Sequence, residues 1–549
     1  MEITGSANMN FMRGRHALPF LLLFALVFVR FCYFGFEYYH QLDDYIQYHN
    51  YALMGHPFDT IKGLGLLGAR PLAGLFDIFV WSHFFPVMIV AVALISAMFS
   101  ASACLLWRVW SRFFGTGYVF LAVYALLPLG IEGTYWVSAS SRIVLGLFFA
   151  SISLHSFDRW CREGRRRALI LYILAQAAAF GFYEQALVFS LTTTILVAVL
   201  RFRENRPRAL WGLFSFVNAS AYFIMTGLVK NSALYDGRLG LIESFDSRYW
   251  SVTFPAVLNQ VRDVFLKGGF YTLVKGSWRG AQMMLEDANI VYILAVLFLC
   301  AALYILACKK AETCGTVSRP AASLLVGLLL ALAPVSIFFV IDNAWFSLRG
   351  AVMSFCGLAL IADTLVRLLA SKIKYGVKFT ALAVSCFALI CCVASVSEIH
   401  DYRETTAKDR EIVGLLAEKL EKDGRLDKEL KIAVLNVEPS YLPNQNYFFH
   451  EHIHGVTESP WALTGALEWR VGRERPRVTP LPGDIMYKPW NIGVSRLSNF
   501  DCVYFYSDGE IGQIRTEPIS GESYRLFDLN GGYIGRIWEE DDYGYLELP

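Results

Sequence analysis

The sequence predicts a polytopic α-helical membrane protein with about eleven transmembrane helices, followed by a soluble α/β domain. Of its 549 residues, 55% are hydrophobic and 17% are charged, which is more apolar than an ordinary soluble protein. Apolar runs that could cross a hydrocarbon core about 30 Å thick recur as far as Ser397, and the composition then becomes that of a globular domain. We therefore predict a transmembrane domain over residues 1–397 and an extracytoplasmic domain over residues 398–549.

Each predicted span is an apolar run of roughly the length that a membrane-crossing helix needs. The runs are 17–36, 83–107, 117–133, 138–157, 168–182, 186–200, 209–228, 289–308, 321–341, 350–369 and 377–397. The sixth run is short, and it could form a tilted or broken pair with the fifth. The first run follows Arg13 and Arg15 without a small-residue cleavage site, so we interpret it as a retained signal anchor.

Basic residues predict the orientation, because Lys and Arg in short loops remain on the cytoplasmic side. They concentrate in alternate loops, which places the amino terminus in the cytoplasm. These residues are Arg108, Arg112, Arg159, Arg162, Arg165, Arg166, Arg167, Arg201, Arg203, Arg206, Arg208, Lys309, Lys310, Arg319, Arg367, Lys372, Lys374 and Lys378. The outer face then receives the loop with Asp43 and Asp44, the turns at 132–136 and 183–185, the loops at 230–288 and 342–349, and the chain after Glu398.

The first outer loop is long and rich in glycine between Pro57 and Leu72. This mildly amphipathic segment either lies in the membrane interface, where Lys62 and Arg70 could meet lipid phosphates, or is a linker to the second span. Its glycines do not form a nucleotide fingerprint, because no strand precedes them. The formal net charge of +2 is nearly balanced and the cations lie at membrane edges, which argues against a nucleic acid partner.

The terminal domain contains helical and strand patterns. Residues 405–422 read as an amphipathic helix whose apolar side includes Ile412, Leu416 and Leu420. Residues 431–437 and 501–506 read as strands, and 524–529 with 533–538 read as a hairpin across Asn530-Gly531-Gly532. The prediction is a mixed α/β domain.

Asp43 and Asp44 are two adjacent carboxylates where the chain leaves the first predicted span. A helix that begins here would use one of them as its N-cap and place the other in its first turn. The aromatic surroundings, which include Tyr45 and Tyr48, suggest in addition either a surface that stacks on a sugar or an aromatic belt at the membrane interface. Adjacent side chains on a helix point in different directions, so only one carboxylate can be a general base. The other would cap the helix, support the base or bind a metal.

Glu184 and Glu132 are further acids in turns on the predicted outer face. A carboxylate wedged among apolar residues suits acid or base chemistry unless a cation pairs with it. Glu132, with Trp136 in the same turn, is a weaker candidate that we assign to acceptor or sugar binding. The alternative for each acid is a polar turn at the lipid head groups.

Three arginines on the predicted outer face could neutralise a departing phosphate. Arg142 and Arg349 fall near the starts of predicted spans, where helix amide groups also favour an anion. Arg70, from the first outer loop, is the third. The alternative is that they snorkel to the interface or pair with an acid such as Asp342.

The segment His450-Glu451-His452-Ile453-His454 would place three imidazoles on one face of a strand. No cysteine or evident fourth ligand accompanies them, and the neighbouring Gly455 and Pro460 favour a loop, so we assign no metal ligands. We interpret this segment as a loop that faces substrate.

With these residues in place, the chain resembles the GT-C superfamily of polyprenyl-phosphate-sugar-dependent membrane glycosyltransferases, in particular bacterial O-antigen glucosyltransferase-like proteins. The resemblance lies in the Asp43-Asp44 pair of the first outer loop, the interfacial segment there, about eleven spans and an outer terminal domain. It implies inverting sugar transfer from a polyprenyl-phosphate donor to a cell-surface glycan or lipid acceptor, outside a bacterial inner membrane. The family's catalytic aspartate then corresponds to Asp43 or Asp44, and Arg70, Arg142 or Arg349 would bind the lipid phosphate. A divalent cation stays open, because relatives differ in this respect.

Two other functions fit the same composition. An O-antigen polymerase or ligase also has many spans and outer arginines, but such proteins usually carry a large outer loop between late spans. A transporter or flippase of lipid-linked sugars would place polar residues near the bilayer midplane in interrupted helices, often in repeated halves. Here the acids cluster at one predicted face and no repeat is visible, which favours the transferase.

Overall fold

The computed structural model describes residues 17–50, 70–228, 241–311, 319–341, 344–437, 455–472, 476–481, 497–520, 523–540 and 543–549. The chain forms two compact units. The membrane unit comprises Met1–Glu37, Phe58–Phe76 and Val87–Ile399, and the sheet unit comprises Tyr38–Pro57, Asp77–Pro86 and His400–Pro549. The second unit begins close to the predicted division at residue 397 but also takes in two segments from early in the chain.

Within the described residues, eight helices are long and apolar enough to cross a bilayer, as expected of a multi-pass membrane protein. They are Ile89–Phe114, Val137–Glu163, Glu184–Arg201, Arg206–Leu228, Ile290–Lys309, Pro320–Phe339, Leu348–Ala370 and Gly376–Lys422. Three more predicted spans contain shorter helices: Ala17–Val29 with 13 residues, Tyr118–Leu126 with 9 and Arg166–Phe182 with 17. At 1.5 Å per residue these cover about 14–26 Å, so the predicted number of eleven spans is not established.

The helix Tyr118–Leu126 stops early for a local reason. Leu127 precedes Pro128 and adopts an extended backbone with φ −55° and ψ 120°, because the proline ring disfavours helical geometry in the residue before it. The chain then continues through a short 3₁₀ turn, Pro128–Gly130, and enters the next helix at Val137. Residues 128–136 are all buried despite their irregular backbone. At membrane depth such backbone is tolerated only where protein or a cavity surrounds it.

One end of the membrane unit is held by a buried carboxylate. Asp158 accepts hydrogen bonds from Arg112, from Arg162 Nε at 3.1 Å and from Arg201 Nη2 at 2.8 Å. These arginines lie near the carboxyl ends of Ile89–Phe114, Val137–Glu163 and Glu184–Arg201. The three helices therefore run side by side in one direction. The amino ends of the latter two, which carry Trp136, Arg142 and Glu184, face away from this arginine-rich end.

The predicted outer loop at 230–288 is largely helical where the structure describes it. After Tyr249–Thr253 come Phe254–Arg262, Asp263–Gly268, Phe270–Lys275 and Gly276–Asp287. Gly276 and Gly280 lie against the backbone of Ala394 and Val393, where a methyl group at Gly280 would overlap the Val393 carbonyl. Small residues thus allow close packing on the helix Gly376–Lys422, which sequence hydropathy does not reveal.

The sheet unit contains a seven-stranded sheet with the order β2-β1-β3-β4-β5-β6-β7. The strands are β1 Lys431–Leu435, β2 Arg477–Leu481, β3 Cys502–Ser507, β4 Glu510–Ser520, β5 Ser523–Asp528, β6 Tyr533–Glu540 and β7 Tyr543–Glu547. Strand β1 pairs in parallel with β2 and β3, and the remaining pairs are antiparallel. Ala433, Leu435, Val503, Phe505 and Leu526 are among the buried residues of its core. The predicted strands at 431–437 and 501–506 match β1 and β3, and the predicted hairpin matches β5 and β6.

The predicted helix at 405–422 is not a separate element. It is the last part of one 47-residue helix, Gly376–Lys422, which begins as a candidate span. No proline or glycine pair interrupts the sequence near Ser397, so the backbone has no local reason to stop. A second helix of the sheet unit, Pro460–Val471, packs on β2, where Thr464 Oγ1 accepts from Val478 N at 2.9 Å.

Candidate functional site

Asp43 and Asp44 belong to the sheet unit and begin a short helix, Asp43–Tyr45, that continues as a π-helix over Ile46–Asn50. The N-cap position is occupied by Leu42, at φ 38° and ψ −105°, and its side chain makes no capping hydrogen bond. The predicted alternative in which one aspartate is the N-cap is therefore wrong, because both lie in the first turn. A leucine at positive φ is strained, and such strain concentrates at functional positions.

Asp44 is fully buried, with 0% of its surface exposed. Its Oδ2 accepts from the Tyr38 hydroxyl at 2.7 Å and from the Gln41 backbone N–H at 3.0 Å. The side chain thereby ties the turn at 38–41 to the start of the helix. This is a supporting position, since a buried carboxylate held by donors of its own turn is poorly placed to meet a substrate.

Asp43 is half-buried and points elsewhere. Its Oδ1 accepts a hydrogen bond from the indole Nε1 of Trp461 at 2.9 Å. Trp461 lies in the first turn of Pro460–Val471, and Gly465 of that helix allows close approach to Tyr45, whose Cβ would lie 3.1 Å from an added methyl group. The helix Pro460–Val471 thus packs against Tyr45, and its Trp461 fixes the orientation of the Asp43 carboxylate.

Aromatic rings surround this pair within the sheet unit. His40 lies 4.6 Å from Phe85 between ring centroids, and Phe85 lies 4.9 Å from Trp469. Tyr45 and Tyr48 are buried, with 5% and 1% exposure, and burial together with Asp409 raises the pKa of the Tyr45 phenol. Their role in sugar stacking stays a prediction. Trp469, 44% exposed, is the most accessible ring of this cluster.

Arg70 and Glu184 meet in the membrane unit. Arg70 Nε donates to both Glu184 oxygens, at 2.8 and 3.1 Å, and the guanidinium lies over the Tyr183 ring at 4.6 Å. Burial is the largest single effect on this group and opposes its charge, but the charges of Glu184 and Tyr183, together with the hydrogen bonds to Glu184, raise the pKa of Arg70. Glu184 is thus half of an ion pair, not the isolated carboxylate that suits acid–base work.

Because this pair is only partly exposed, its two charges should be strongly coupled. Replacing Arg70 by Met or Glu184 by Gln should each destabilise the protein, whereas the double variant should recover part of the loss. We expect a coupling energy of about 1–3 kcal/mol. Free energies of unfolding from detergent titration of the four proteins measure it. Strictly additive losses would show that the pair contributes no coupling.

Glu132, Trp136 and Arg349 come together in the same unit. Glu132 Oε1 accepts from the Ser347 hydroxyl at 3.3 Å, and the Arg349 guanidinium lies 5.5 Å from the Trp136 ring centroid. Gln185, which follows Glu184, donates to the Gly350 carbonyl at 3.2 Å. The turn at 132–136, the turn at 183–185 and the segment at 347–350 therefore form one neighbourhood.

Arg142 lies in the second turn of Val137–Glu163 and is buried, with 8% exposure. Its charge acts on Arg70, where it opposes the effect of Glu184. Arg70, Arg142, Arg349, Glu132, Trp136 and Glu184 thus all belong to the membrane unit, whereas Asp43, Asp44, Tyr45 and Tyr48 belong to the sheet unit. Within the membrane unit, Glu184 is paired with Arg70, and the charge of Arg142 acts on that pair.

Sequence reasoning missed Arg30 and Trp461. Arg30 follows the first helix, is 1% exposed and donates through Nη2 to Thr134 Oγ1 at 3.0 Å. A single arginine inside an apolar run was a signal, because charges there are costly and often functional. Trp461 gave no such signal, since it lies 418 residues from Asp43 in the chain.

Several predicted features lie outside the described residues: the segment with His450, His452 and His454, most of the interfacial loop including Lys62, and Asp342. Over the part of the chain that is described, no three His, Cys, Asp or Glu side chains form a group that could hold a metal.

The sequence matches no protein-family model and no curated protein. The resemblance to the GT-C superfamily therefore stays a prediction, and a proposal of function depends on the geometry of Asp43 and of the arginines.

Proposed function

We propose that the protein is an inverting membrane glycosyltransferase that moves a sugar from a polyprenyl-phosphate donor to a glycan or lipid acceptor. The observation that carries the proposal is the asymmetry of the aspartate pair. One carboxylate, Asp44, is buried in its own turn, and the other, Asp43, is half-buried and oriented by an indole N–H. An oriented, accessible carboxylate backed by a structural one is what a general base requires.

Asp43 is the base in this mechanism. Within the described chain its indole bond uses Oδ1, so Oδ2 can take the proton of an acceptor hydroxyl. The acceptor oxygen then bonds to the anomeric carbon from the side opposite the leaving group. The bond from that carbon to the phosphate oxygen breaks, and the lipid phosphate departs with its electron pair. The sugar is transferred with inversion, and Asp43 holds the proton.

The resemblance assigns the lipid phosphate to Arg70, Arg142 or Arg349, which all belong to the membrane unit. Arg70, Arg142 and Arg349 carry charges that stabilise a departing phosphate more strongly than its ester, because negative charge grows as the bond breaks. Glu184 keeps Arg70 charged and oriented. The proposed setting is a bacterial inner membrane with a cytoplasmic amino terminus, and the requirement for a divalent cation is left to the assay.

The experiment supplies purified protein in nanodiscs with a panel of undecaprenyl phosphate sugars and a mixture of envelope glycan and lipid acceptors. We expect release of undecaprenyl phosphate with at least one sugar, together with labelled product, with and without Mg²⁺. No release from any donor under either condition would contradict the proposal.

Replacing Trp461 by Phe tests the orientation of the base. The variant keeps the ring but loses the bond to Asp43, so kcat should fall about ten- to hundredfold, the equivalent of one hydrogen bond to a charged group. The donor KM should stay within about threefold of wild type, because Trp461 does not hold the phosphate. Trp469→Phe, in the same helix, is the matched control and should leave kcat within twofold. Equal kcat in wild type and Trp461→Phe would exclude the positioning role.

A transporter or flippase of lipid-linked sugars is a second candidate, and one observation favours it. Two short helices, Ala17–Val29 and Tyr118–Leu126, end inside the membrane unit beside buried irregular backbone, as helices do at transporter binding sites. Proteoliposomes with fluorescent undecaprenyl phosphate sugar distinguish the two functions. A transporter would move the lipid across the bilayer equally well with Asp43→Asn, without cleaving it.

A further inference from the structure

We propose that Arg30 forms, with Thr134, a binding site for a phosphoryl oxyanion inside the membrane unit. Arg30 is the first residue after Ala17–Val29, and Thr134 lies in the buried segment before Val137–Glu163. Arg30 Nη2 lies 3.0 Å from Thr134 Oγ1. This contact joins the end of Ala17–Val29 to the irregular segment that follows Tyr118–Leu126. The site is distinct in its contacts from Arg349, which lies over Trp136.

The guanidinium lacks a counterion in the described part of the chain. Nε and Nη1 of Arg30 have no surface in contact with solvent and no hydrogen-bond partner there. The titratable groups that act on its charge are Tyr292, Cys391 and Cys392, all neutral near pH 7. Burying an unpaired cation costs several kcal/mol. A buried guanidinium that meets a hydroxyl and an aromatic ring in the described chain, but no carboxylate there, is poised for an anion from outside the chain.

The contact with Thr134 orients the guanidinium. The Thr134 hydroxyl donates to the Gly130 carbonyl at 2.8 Å, so it accepts from Arg30 and its direction is fixed. Nη2 is thus fixed by Thr134, and the guanidinium also lies over the Phe31 ring, 4.6 Å from its centroid. Nε and Nη1 remain as donors in a planar group, and such groups bind phosphate oxygens strongly.

The surroundings of Arg30 are apolar and partly irregular in backbone. Phe31 packs on Tyr135 at 5.2 Å between ring centroids, and residues 128–136 are buried but not helical. Irregular backbone at this depth is tolerated where protein or a cavity surrounds it. An apolar wall with one cation fits the phosphate of a lipid better than a free, fully hydrated phosphate, although both share the chemistry that Arg30 recognises.

The test titrates full-length protein in detergent with undecaprenyl phosphate, undecaprenol or inorganic phosphate, and measures binding by native mass spectrometry. We expect Arg30→Met to weaken undecaprenyl phosphate binding by at least about tenfold and to leave undecaprenol binding unchanged. Arg248→Met, which removes an exposed cation, is the matched control and should change neither. If the wild type binds inorganic phosphate and Arg30→Met does not, the ligand is a free phosphate. If the wild type binds undecaprenyl phosphate but not inorganic phosphate, the ligand is a lipid head group.

Thermal unfolding without ligand separates binding from a structural role. Removing an unpaired buried charge should leave the unfolding midpoint of Arg30→Met equal to or above that of wild type. Equal affinity of wild type and Arg30→Met for undecaprenyl phosphate would overturn the site. If Arg30→Met does not fold, Arg30→Gln, which retains a donor for Thr134, takes the same measurement.

The choice of undecaprenyl phosphate as probe rests on the proposed function, but the outcomes separate. Binding through Arg30 without sugar transfer would refute the transferase and keep the site. Transfer with unaltered affinity in Arg30→Met would keep the transferase and refute the site.

Discussion

Asp43→Asn should reduce sugar transfer by about a hundred- to ten-thousandfold while the protein remains folded, since an amide cannot accept the acceptor's proton. The substitution keeps the shape of the side chain, and its amide oxygen can still accept from the Trp461 indole. The unfolding midpoint should therefore stay close to that of wild type. Release of undecaprenyl phosphate measures the rate, and donor binding, measured separately, should change little.

Asp44→Asn should behave differently from Asp43→Asn, because the Asp44 side chain lies in a different environment from that of Asp43. The charged oxygen that accepts from Tyr38 and from Gln41 N becomes a neutral amide in a fully buried position. A hydrogen bond to a charged group contributes about 1.5–3 kcal/mol, so stability should fall. Turnover per folded molecule should exceed that of Asp43→Asn. The assignment fails if both variants retain full turnover, and it reverses if only Asp44→Asn is inactive at unchanged stability.

The different environments of the two aspartates show which part of the candidate site local sequence could predict. Divergence of adjacent side chains on a helix predicted that only one could be the base. Which one depends on Tyr38, six residues away, and on Trp461, 418 residues away. No window of sequence contains the second partner, so its contribution becomes visible only when Pro460–Val471 is placed against Tyr45.

The number of spans shows a second limit. The apolar run at 117–133 includes Leu127, Pro128 and Leu129, which count as hydrophobic but leave the helix at the proline. Hydropathy measures transfer into an apolar environment, whether that environment is lipid or protein. A hydropathy profile therefore counts a buried irregular segment as part of a membrane span. Strands β1, β3, β5 and β6 were predictable because short runs of apolar and aromatic residues and the Asn530-Gly531-Gly532 turn are local signals.

The membrane unit contains buried cations in two contrasting settings. At the arginine-rich end, Asp158 meets Arg112, Arg162 and Arg201, and the charges are paired by the chain itself. At Arg30 the described chain supplies a hydroxyl and no carboxylate. A buried arginine paired with a carboxylate is expected to stabilise the fold, whereas a buried arginine without a carboxylate in the described chain is expected to bind an anion. Substitutions should therefore affect stability at Asp158 and affinity at Arg30.

Asp158→Asn should be among the most destabilising single substitutions in the membrane unit. The Asp158 side chain is 0% exposed, and losing its charge leaves guanidinium groups from the ends of three helices facing one another. Breaking a buried ion pair by removing one partner typically costs about 3–5 kcal/mol. The free energy of unfolding, measured by detergent titration, should fall by that amount.

Glu163→Gln is the control for this substitution, since it removes the same charge five residues further along the same helix. The Glu163 side chain is 29% exposed and pairs with Arg159 and Arg165, so its loss should cost no more than about 1 kcal/mol. Adding Arg201→Met to Asp158→Asn should restore part of the stability, because Arg201 is the most buried of the three arginines, with 10% of its side chain exposed. If Asp158→Asn is no more destabilising than Glu163→Gln, the arginine-rich end does not depend on this carboxylate.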